Sequence, residues 1–187
     1  MLAIVPVKGP DGAKSRLAPA LSADERRALV GRMLAAVLAA CDAARRVDAV
    51  LVVTPDPAVA PGRDVLRDPA VGQGFAVSLA LRDERARGGA LVVMADCPLV
   101  TAASLDALVV AARPIALAPA RDGGLSAAAL ADPFLVEPAF GEPESARVTI
   151  ARARAAGVEP VVLRDAGLAF DVDRPDDLER LGPLLAA

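Results

Sequence analysis

The chain has 187 residues, with 21 Lys and Arg against 24 Asp and Glu, a net charge of -3 and an aromatic content of only 2%. Single-stranded nucleic acids bind to aromatic stacking platforms and positive charge, so this composition argues against a nucleic-acid partner. The length fits one domain that buries its own core. We therefore expect a single domain over residues 1–187.

Histidine is absent, which excludes a histidine general base, a catalytic triad and a histidine-ligated zinc site. Cys41 and Cys97 belong to no CxxC pair or cluster, so we expect reduced thiols. A bound metal would then be held by oxygen, which favours Mg²⁺ or a similar hard cation. No apolar run reaches the length of a membrane span and no signal peptide is recognisable, so we expect a cytoplasmic protein without a membrane partner.

Apolar runs rich in β-branched residues alternate with helical patterns, which is typical of a parallel sheet built from strand–helix–strand units. The predicted fold class is α/β: a single-domain, Rossmann-like, mostly parallel sheet flanked by helices. In the first half, the predicted elements are a strand at 2–7, a helix from the Ser22/Glu25 capping box to about Ala44, strands at 49–54 and 63–67, a helix at 75–87 and a strand at 90–94.

The second half is predicted to begin with a helix capped by Thr101 that runs to Ala111. The remaining predicted elements are a strand at 114–118, an irregular site loop at 120–132, a strand near 134–137, a helix ending at 155, a strand at 160–163, and a strand from 168 that turns into a terminal helix with Leu178, Leu181 and Leu185 inside.

The segment from Lys8 to Leu17, here called the lysine loop, follows the first predicted strand and contains both lysines of the chain. Lys8, Lys14 and Arg16 in one glycine-containing loop indicate a phosphate-binding function, and the flexible ammonium of lysine suits it. The loop is not a Walker motif, because Ala13 rather than glycine precedes Lys14. The alternative is a basic, solvated surface loop.

Three aspartates are candidate metal ligands. Asp96 follows a buried strand, at the edge where open α/β sheets bind ligands, although turn formation is an alternative role. Asp171 and Asp173 alternate along a predicted strand, so only one is expected to reach a metal shared with Asp96. Asp171 is slightly favoured, since Asp173 could equally cap the last helix.

Three glycine-containing segments are candidate ligand loops. Gly72-x-Gly74 is a weak dinucleotide signature, because the third glycine position holds Val77. Arg121 with Gly123 and Gly124 offers charge and accessible amides, or simply a turn. Gly141 and Ser145 precede a helix start, where amides bind anions, unless Ser145 is only an N-cap.

Taken together, these motifs resemble the 2-phospho-L-lactate guanylyltransferase (CofC) family of MobA-like nucleotidyltransferases. The resemblance rests on Ile4–Lys8 with Ala13–Leu17, Ala95-Asp96-x-Pro98-Leu99, Ala118-Pro119-x-Arg121-Asp122-Gly123-Gly124, Phe140-Gly141 with Ser145, and Asp171-Val172-Asp173-x-Pro175-x-Asp177-Leu178. It implies transfer of GMP from the co-substrate GTP, with Mg²⁺, to 2-phospho-L-lactate or phosphoenolpyruvate. Pyrophosphate is released, and the pathway is biosynthesis of coenzyme F-420.

The resemblance also implies roles for individual residues. Lys8, Lys14 and Arg16 would be catalytic; Val5, Pro6, Lys8, Lys14, Gly74, Ser78 and Asp96 would bind the nucleotide; Arg121, Gly123, Gly124, Leu125, Gly141 and Ser145 would bind the acceptor; and Asp96, Asp171 and Asp173 would hold the metal. The chain departs from the family at Ser78, Leu125 and Ser126, and it lacks a histidine usual near Val148 or Thr149.

Two alternatives and the oligomeric state stay open. A related transferase could act on a molybdopterin or a sugar phosphate, although the glycine-rich loop ending in Arg-Met is absent. A non-catalytic nucleotide-binding protein would also retain the fold. The expected partners are small-molecule substrates, and a homodimer is compatible with the sequence.

Overall fold

The computed structural model describes residues 1–9 and 14–182. The strands are β1 (Leu2–Pro6), β2 (Ala49–Thr54), β3 (Asp64–Arg67), β4 (Ala90–Val93), β5 (Ile115–Pro119), β6 (Leu125–Leu130) and β7 (Val161–Val162). The α-helices are α1 (Ala23–Ala43), α2 (Gln73–Leu81), α3 (Ala102–Ala111), α4 (Ser145–Ala155) and α5 (Pro175–Leu178).

These strands form a seven-stranded sheet in the order β3-β2-β1-β4-β6-β5-β7. The pairs β3–β2, β2–β1, β1–β4 and β5–β7 are parallel, whereas β6 is antiparallel to both β4 and β5. The predicted α/β class and mostly parallel sheet are confirmed. The carboxyl ends of β1 to β4 therefore lie along one edge, where ligands bind in such sheets.

Helices cover both faces of the sheet, so its central strands are apolar without interruption. Ala3 and Val5 of β1 pack with α1 and α3 on one face, while Leu2 and Ile4 pack with α2 and α4 on the other. Helix α1 begins at a capping box, in which the Ser22 hydroxyl accepts from Glu25 N–H and the Glu25 carboxylate accepts from Ser22 N–H. That predicted helix start is confirmed.

A separate apolar cluster joins three segments that are distant in the sequence. It is formed by Leu17 at the end of the lysine loop, Leu29 and Met33 of α1, and Phe170, Val172 and Leu181 near the C-terminus. Burial of each large side chain contributes roughly 1.5–3 kcal/mol. The cluster holds the end of the lysine loop beside the segment that carries Asp171 and Asp173.

The predicted irregular loop at 120–132 is wrong over residues 125–130, and the predicted strand near 134–137 is wrong. Strand β6 occupies Leu125–Leu130, and residues 134–137 form no strand. The misassigned run is rich in alanine, which has low β-propensity, but every β6 residue is buried between β4 and β5. Pairing on both sides and full burial outweigh that propensity.

The C-terminal prediction is also partly wrong. Residues 168–173 form no strand; α5 has four residues, a 3-10 turn follows at Glu179–Leu181, and Leu185 lies outside the described residues. Asp173 does not cap α5, because Arg174 is the N-cap residue and the Asp177 carboxylate accepts from its N–H. Helix α2 ends at Leu81 rather than near 87, with a 3-10 turn at Glu84–Gly88 beyond it.

Candidate active site

A cavity of about 680 Å³ opens above the carboxyl ends of β1, β2, β3 and β4. Its walls include Pro6, Val7, Val53 and Ala76, which are apolar, and its charged lining is formed by Lys8, Lys14, Arg16, Asp68, Asp96 and Asp173. Pro10–Ala13 of the lysine loop lie outside the described residues, so the predicted loop is described only at its two ends. Those ends contribute the three predicted cations to one cavity.

Lys14 is the centre of the charged network. Its Nζ donates to Asp96 Oδ2 at 2.6 Å and to Asp173 Oδ1 at 2.8 Å, so one ammonium joins two acids that lie 82 and 159 positions away. Arg16 donates to Asp173 Oδ2 at 3.0 Å. Lys14 has a left-handed backbone (φ 53°) and precedes a 3-10 turn at Ser15–Leu17. We call Lys14, Asp96 and Asp173 the ammonium–carboxylate triad.

Attraction to opposite charges outweighs the effect of burial on the pKa values of Lys14 and Asp173. Burial alone would lower the pKa of Lys14, but the Asp96 charge and hydrogen bonds to Asp173 and Asp96 outweigh it and raise that pKa. Burial would raise the pKa of Asp173, yet the hydrogen bond and charge of Lys14, with Arg16, hold it below its usual value. Lys14 and Asp173 are therefore both ionised at neutral pH.

Asp171 lies in a different electrostatic environment. Burial is the main cause that raises its pKa, and the charges of Asp96, Asp122 and Asp173 raise it further. Asp171 is thus close enough to Asp96 to interact with it, but Asp173 is the residue that shares a cation with Asp96. The ion-pair geometry favours Asp173 over Asp171 as the partner of Asp96.

Asp171→Asn is expected to raise the thermal midpoint of the metal-free protein at pH 7. The pKa of Asp171 is higher in the folded protein than in the unfolded chain. Below the unfolded pKa the carboxyl is neutral in both states and costs no stability. As the pH rises from the unfolded pKa to the folded pKa, the protein loses stability, and the loss is complete above the folded pKa. The amide removes that loss. Melting curves at pH 7 and about pH 3 should show a gain that disappears in acid.

An equal gain at both pH values, or a lower midpoint at pH 7, would contradict this explanation for Asp171. Asp165→Asn is a suitable control, because Asp165 accepts hydrogen bonds from Ser104 and Leu168 and contributes nothing to the cavity lining.

The geometry fits a divalent cation bound through carboxylate oxygens. Lys14 Nζ already shows that Asp96 and Asp173 can direct an oxygen each at one positive centre. Within residues 1–9 and 14–182, no three acidic, cysteine or histidine side chains form a ready-made metal cage. Mg²⁺ commonly takes one or two carboxylates and completes its shell with water and substrate phosphate. The carboxylates of Asp96 and Asp173 in this cavity fit that mode of Mg²⁺ binding.

The other predicted nucleotide-binding residues lie around the same sheet edge. Pro6 and the exposed Lys8 line the cavity, whereas Val5 is fully buried in the core beneath it. Gly74 is in the first turn of α2, and a Cβ there would lie 2.7 Å from the Phe140 carbonyl oxygen. Gly74 thus permits a close backbone contact, while Ser78 is a buried residue of the same helix.

Most of the predicted acceptor residues have partners within the protein. Arg121 donates to the Asp177 carboxylate at 2.8 Å and to the Asp171 carbonyl oxygen at 3.0 Å, and its guanidinium lies 4.6 Å from the centroid of Phe170. Gly124 N–H donates to the Asp122 carboxylate. These contacts hold the segment that carries the acidic residues, and an acceptor-binding role for Arg121, Gly123 and Gly124 stays a prediction.

Ser145 is the first residue of α4 rather than its N-cap, which is Glu144. Its buried hydroxyl accepts from Leu125 N–H at 2.8 Å, so it fixes the start of β6. Thr149, near the position of the absent histidine, accepts from Ala139 N–H and donates to the Ser145 carbonyl oxygen. Both hydroxyls attach α4 to neighbouring backbone.

Gly141 lines a second cavity of about 730 Å³, which shares Lys8, Gly72 and Gln73 with the first cavity. A Cβ at Gly141 would lie 3.1 Å from Gly74 N, and its φ of +83° favours glycine. Of the six predicted acceptor residues, Gly141 lines the second of these two cavities, and the other five line neither of the two.

Sequence reasoning missed Asp68 and Gln73 as lining residues of the first cavity. Gln73 donates to Met94 Sδ at 2.9 Å. Asp68 directly follows β3, so the rule that selected Asp96, an acid after a parallel strand, would have found it too. Cys41 and Cys97 are buried free thiols, and burial raises the pKa of Cys41 to about 12. None of the helices in the described part of the chain is long and apolar enough to cross a membrane.

Several guanylyltransferases are similar to this chain over most of its length. A phosphoenolpyruvate guanylyltransferase of Sphaerobacter thermophilus is 50% identical to this chain, in an alignment that covers 96% of this chain and 91% of the relative. A 3-phospho-D-glycerate guanylyltransferase of Phenylobacterium zucineum is 37% identical, with coverage of 94% and 86%. A 2-phospho-L-lactate guanylyltransferase of Haloarcula marismortui is also 37% identical, with coverage of 93% and 81%.

The solved structure of 2-C-methyl-D-erythritol 4-phosphate cytidylyltransferase from Thermus thermophilus resembles the chain with a TM-score of 0.65, at 20% identity over 99% of this chain and 98% of that one. That likeness supports the nucleotidyltransferase fold. The sequence matches the family described as "Guanylyl transferase CofC like" over residues 1–182. The chain therefore belongs to the CofC-like guanylyl transferase family.

Proposed function

We propose that the protein transfers GMP from GTP to phosphoenolpyruvate or 2-phospho-L-lactate and releases pyrophosphate, as a step in coenzyme F-420 biosynthesis. The observation that carries the proposal is the ammonium–carboxylate triad at the sheet-edge cavity. It combines a lysine for phosphate oxygens with two carboxylates for a divalent cation. Relatives of this chain are named for phosphoenolpyruvate, 2-phospho-L-lactate and 3-phospho-D-glycerate, so the acceptor is a small phosphorylated carboxylic acid.

The reaction forms one P–O bond and breaks another. A phosphate oxygen of the acceptor attacks the α-phosphorus of GTP, and the bond to the oxygen that bridges the α- and β-phosphorus breaks as pyrophosphate leaves. The attacking oxygen is already anionic, so no protein group has to remove a proton and no covalent protein intermediate is needed. A chain without histidine can therefore perform this reaction by positioning and charge neutralisation.

Each cation has a distinct position for this work. Lys14 lies deepest, against both carboxylates, and is placed to follow the phosphate that leaves. Arg16 is largely exposed at the rim and pairs with Asp173. Lys8 lines both cavities and is placed to attract the anionic acceptor and the nucleotide together. Together they offset the repulsion between two anionic substrates.

Mg²⁺ would be held by Asp96 and Asp173, with Asp171 beside them. When bound, it would supply positive charge that offsets the negative charge of the phosphates. The acceptor would lie beside Gly141, where the second cavity adjoins the first. The acceptor side of the site would also include Gly123, Gly124, Leu125 and Ser145. Their backbone is held by hydrogen bonds from Gly124 N–H to Asp122 and from Leu125 N–H to the Ser145 hydroxyl.

A screen for pyrophosphate release tests the proposal. GTP, CTP and ATP would each be combined with phosphoenolpyruvate, 2-phospho-L-lactate, 3-phospho-D-glycerate and a sugar phosphate in the presence of Mg²⁺. We expect release with GTP and one of the first two acids. Release only with CTP or with a sugar phosphate would support a related transferase. No release in any combination, with GTP still raising the melting temperature, would identify a non-catalytic nucleotide-binding protein.

A further inference from the structure

The first cavity contains a third carboxylate, Asp68, away from the ammonium–carboxylate triad. Its backbone N–H donates to the Thr54 carbonyl oxygen, and its Oδ1 accepts from Ala70 N–H at 3.1 Å. These two bonds fix the residue at the end of β3. Among residues 1–9 and 14–182, no hydrogen bond or ion pair engages Asp68 Oδ2.

Asp68 and the triad lie at opposite ends of the same cavity. Asp68 follows β3 and Asp96 follows β4, and the strand order β3-β2-β1-β4 places three interstrand spacings between them. At about 4.8 Å per spacing, the strand ends are about 14 Å apart. This separation suits a nucleotide that extends from its base to its phosphates. The intervening wall includes Pro6, Val53 and Pro55, which can pack against a base and a ribose.

We propose that Asp68 determines base specificity by accepting hydrogen bonds from N1–H and the 2-amino group of guanine. This inference rests on the proposed function, and it assigns the base to the β3 end of the cavity. Guanine presents two adjacent donors on its Watson–Crick edge, whereas adenine and cytosine each place an acceptor beside their amino group. A carboxylate accepts but does not donate, and a bidentate, charge-assisted pair is strong. Asp68 therefore selects guanine over the other bases.

The test replaces the two acceptor oxygens of Asp68 by one acceptor and one donor, which changes the base that the side chain can pair with. Asp68→Asn should lower kcat/KM for GTP by about tenfold to a hundredfold, the size expected for hydrogen bonds to a charged group. The same variant should gain activity with xanthosine triphosphate, since xanthine has a carbonyl oxygen in place of the 2-amino group and can accept from the amide. Such a gain cannot result from misfolding.

Asp56→Asn is the matched control. Asp56 also follows a strand and accepts from the N–H two residues later, at 3.0 Å, but it does not line the cavity. This variant should keep the wild-type preference for GTP. Wild-type protein should also use inosine triphosphate, which lacks the 2-amino group, about tenfold less well than GTP.

Equal use of GTP and inosine triphosphate by the wild type would overturn the assignment even if Asp68→Asn failed to fold. Unchanged GTP preference in a folded Asp68→Asn variant would overturn it as well. If the wild type transferred no nucleotide to any acceptor, the proposed function would fail. The inference would then be tested by the shift in melting temperature that each nucleotide causes in the wild type and in the two variants. No preference for GTP in those shifts would then reject Asp68.

Discussion

Replacement of Asp96 by asparagine is expected to reduce kcat/KM for guanylyl transfer about a thousandfold, while the fold persists. The amide keeps the size of the side chain but loses the charge that Lys14 contacts at 2.6 Å and that a divalent cation would need. Loss of one preorganised electrostatic contact in an active site costs a factor of this order. Initial rates of pyrophosphate release at several Mg²⁺ concentrations would measure the effect.

Asp42→Asn is the control for this prediction. Asp42 forms a short two-bond ion pair with Arg63, at 2.8 and 2.6 Å, but lies outside the cavity. The Asp42→Asn variant should be less stable than the wild type and should retain the wild-type rate of guanylyl transfer. If Asp96→Asn retained a near wild-type rate, or if Asp42→Asn lost as much activity, the assignment of Asp96 would be rejected.

Replacement of Lys14 by methionine is expected to have opposite effects on catalysis and on metal binding. Turnover should fall about a hundredfold to a thousandfold, because the variant would lack the ammonium that we assign to the departing phosphate. The metal-free protein should bind a divalent cation more tightly than the wild type does, because Lys14 occupies the position between Asp96 and Asp173 in this structure. Titration calorimetry with Mn²⁺ or Mg²⁺ in the absence of nucleotide would measure that gain.

The same variant has a predicted pH signature. Lys14 lowers the pKa of Asp173, so the resulting stability is present above the unfolded pKa of that carboxyl and is lost as the pH falls through its folded pKa. Lys14→Met should therefore melt below the wild type at pH 7, with a difference that shrinks in acid. Added Mg²⁺ should recover more of the melting temperature in the variant than in the wild type.

Lys8→Met provides the comparison for metal binding. Lys8 is exposed and lines both cavities, but no ion pair joins it to a carboxylate within the described ranges 1–9 and 14–182. Its removal should weaken turnover and leave the affinity for the metal unchanged. Weaker metal binding by Lys14→Met than by the wild type would contradict the view that the ammonium stands in for the cation.

Local patterns were sufficient to predict much of the framework. The Ser22/Glu25 pair predicts the start of α1, and the apolar runs predict β1, β2 and β4, because capping and core burial depend on neighbouring residues. The position of Asp96 in the cavity lining was predictable because it follows a buried parallel strand. The failures at β6 arose where tertiary burial outweighed the weak β-propensity of alanine.

The charged network could be predicted only in part. Lys14 and Asp173 are 159 positions apart, and no local pattern shows that one ammonium joins Asp173 to Asp96. The apolar cluster of Leu17, Phe170 and Val172 brings these segments together. Arg121 shows another limit of local patterns: its charge predicts a ligand contact, but no pattern shows that Asp177 and Phe170 contact its guanidinium within the protein.

The most direct test of GMP transfer follows each phosphorus of GTP separately. The protein would be incubated with Mg²⁺, phosphoenolpyruvate and GTP that carries radioactive phosphorus at either the α or the γ position. We expect the α label to appear in a product that joins GMP to the acceptor, and the γ label to appear only in pyrophosphate. Release of the γ label as inorganic phosphate, its transfer to the acceptor, or α label bound covalently to the protein would contradict it.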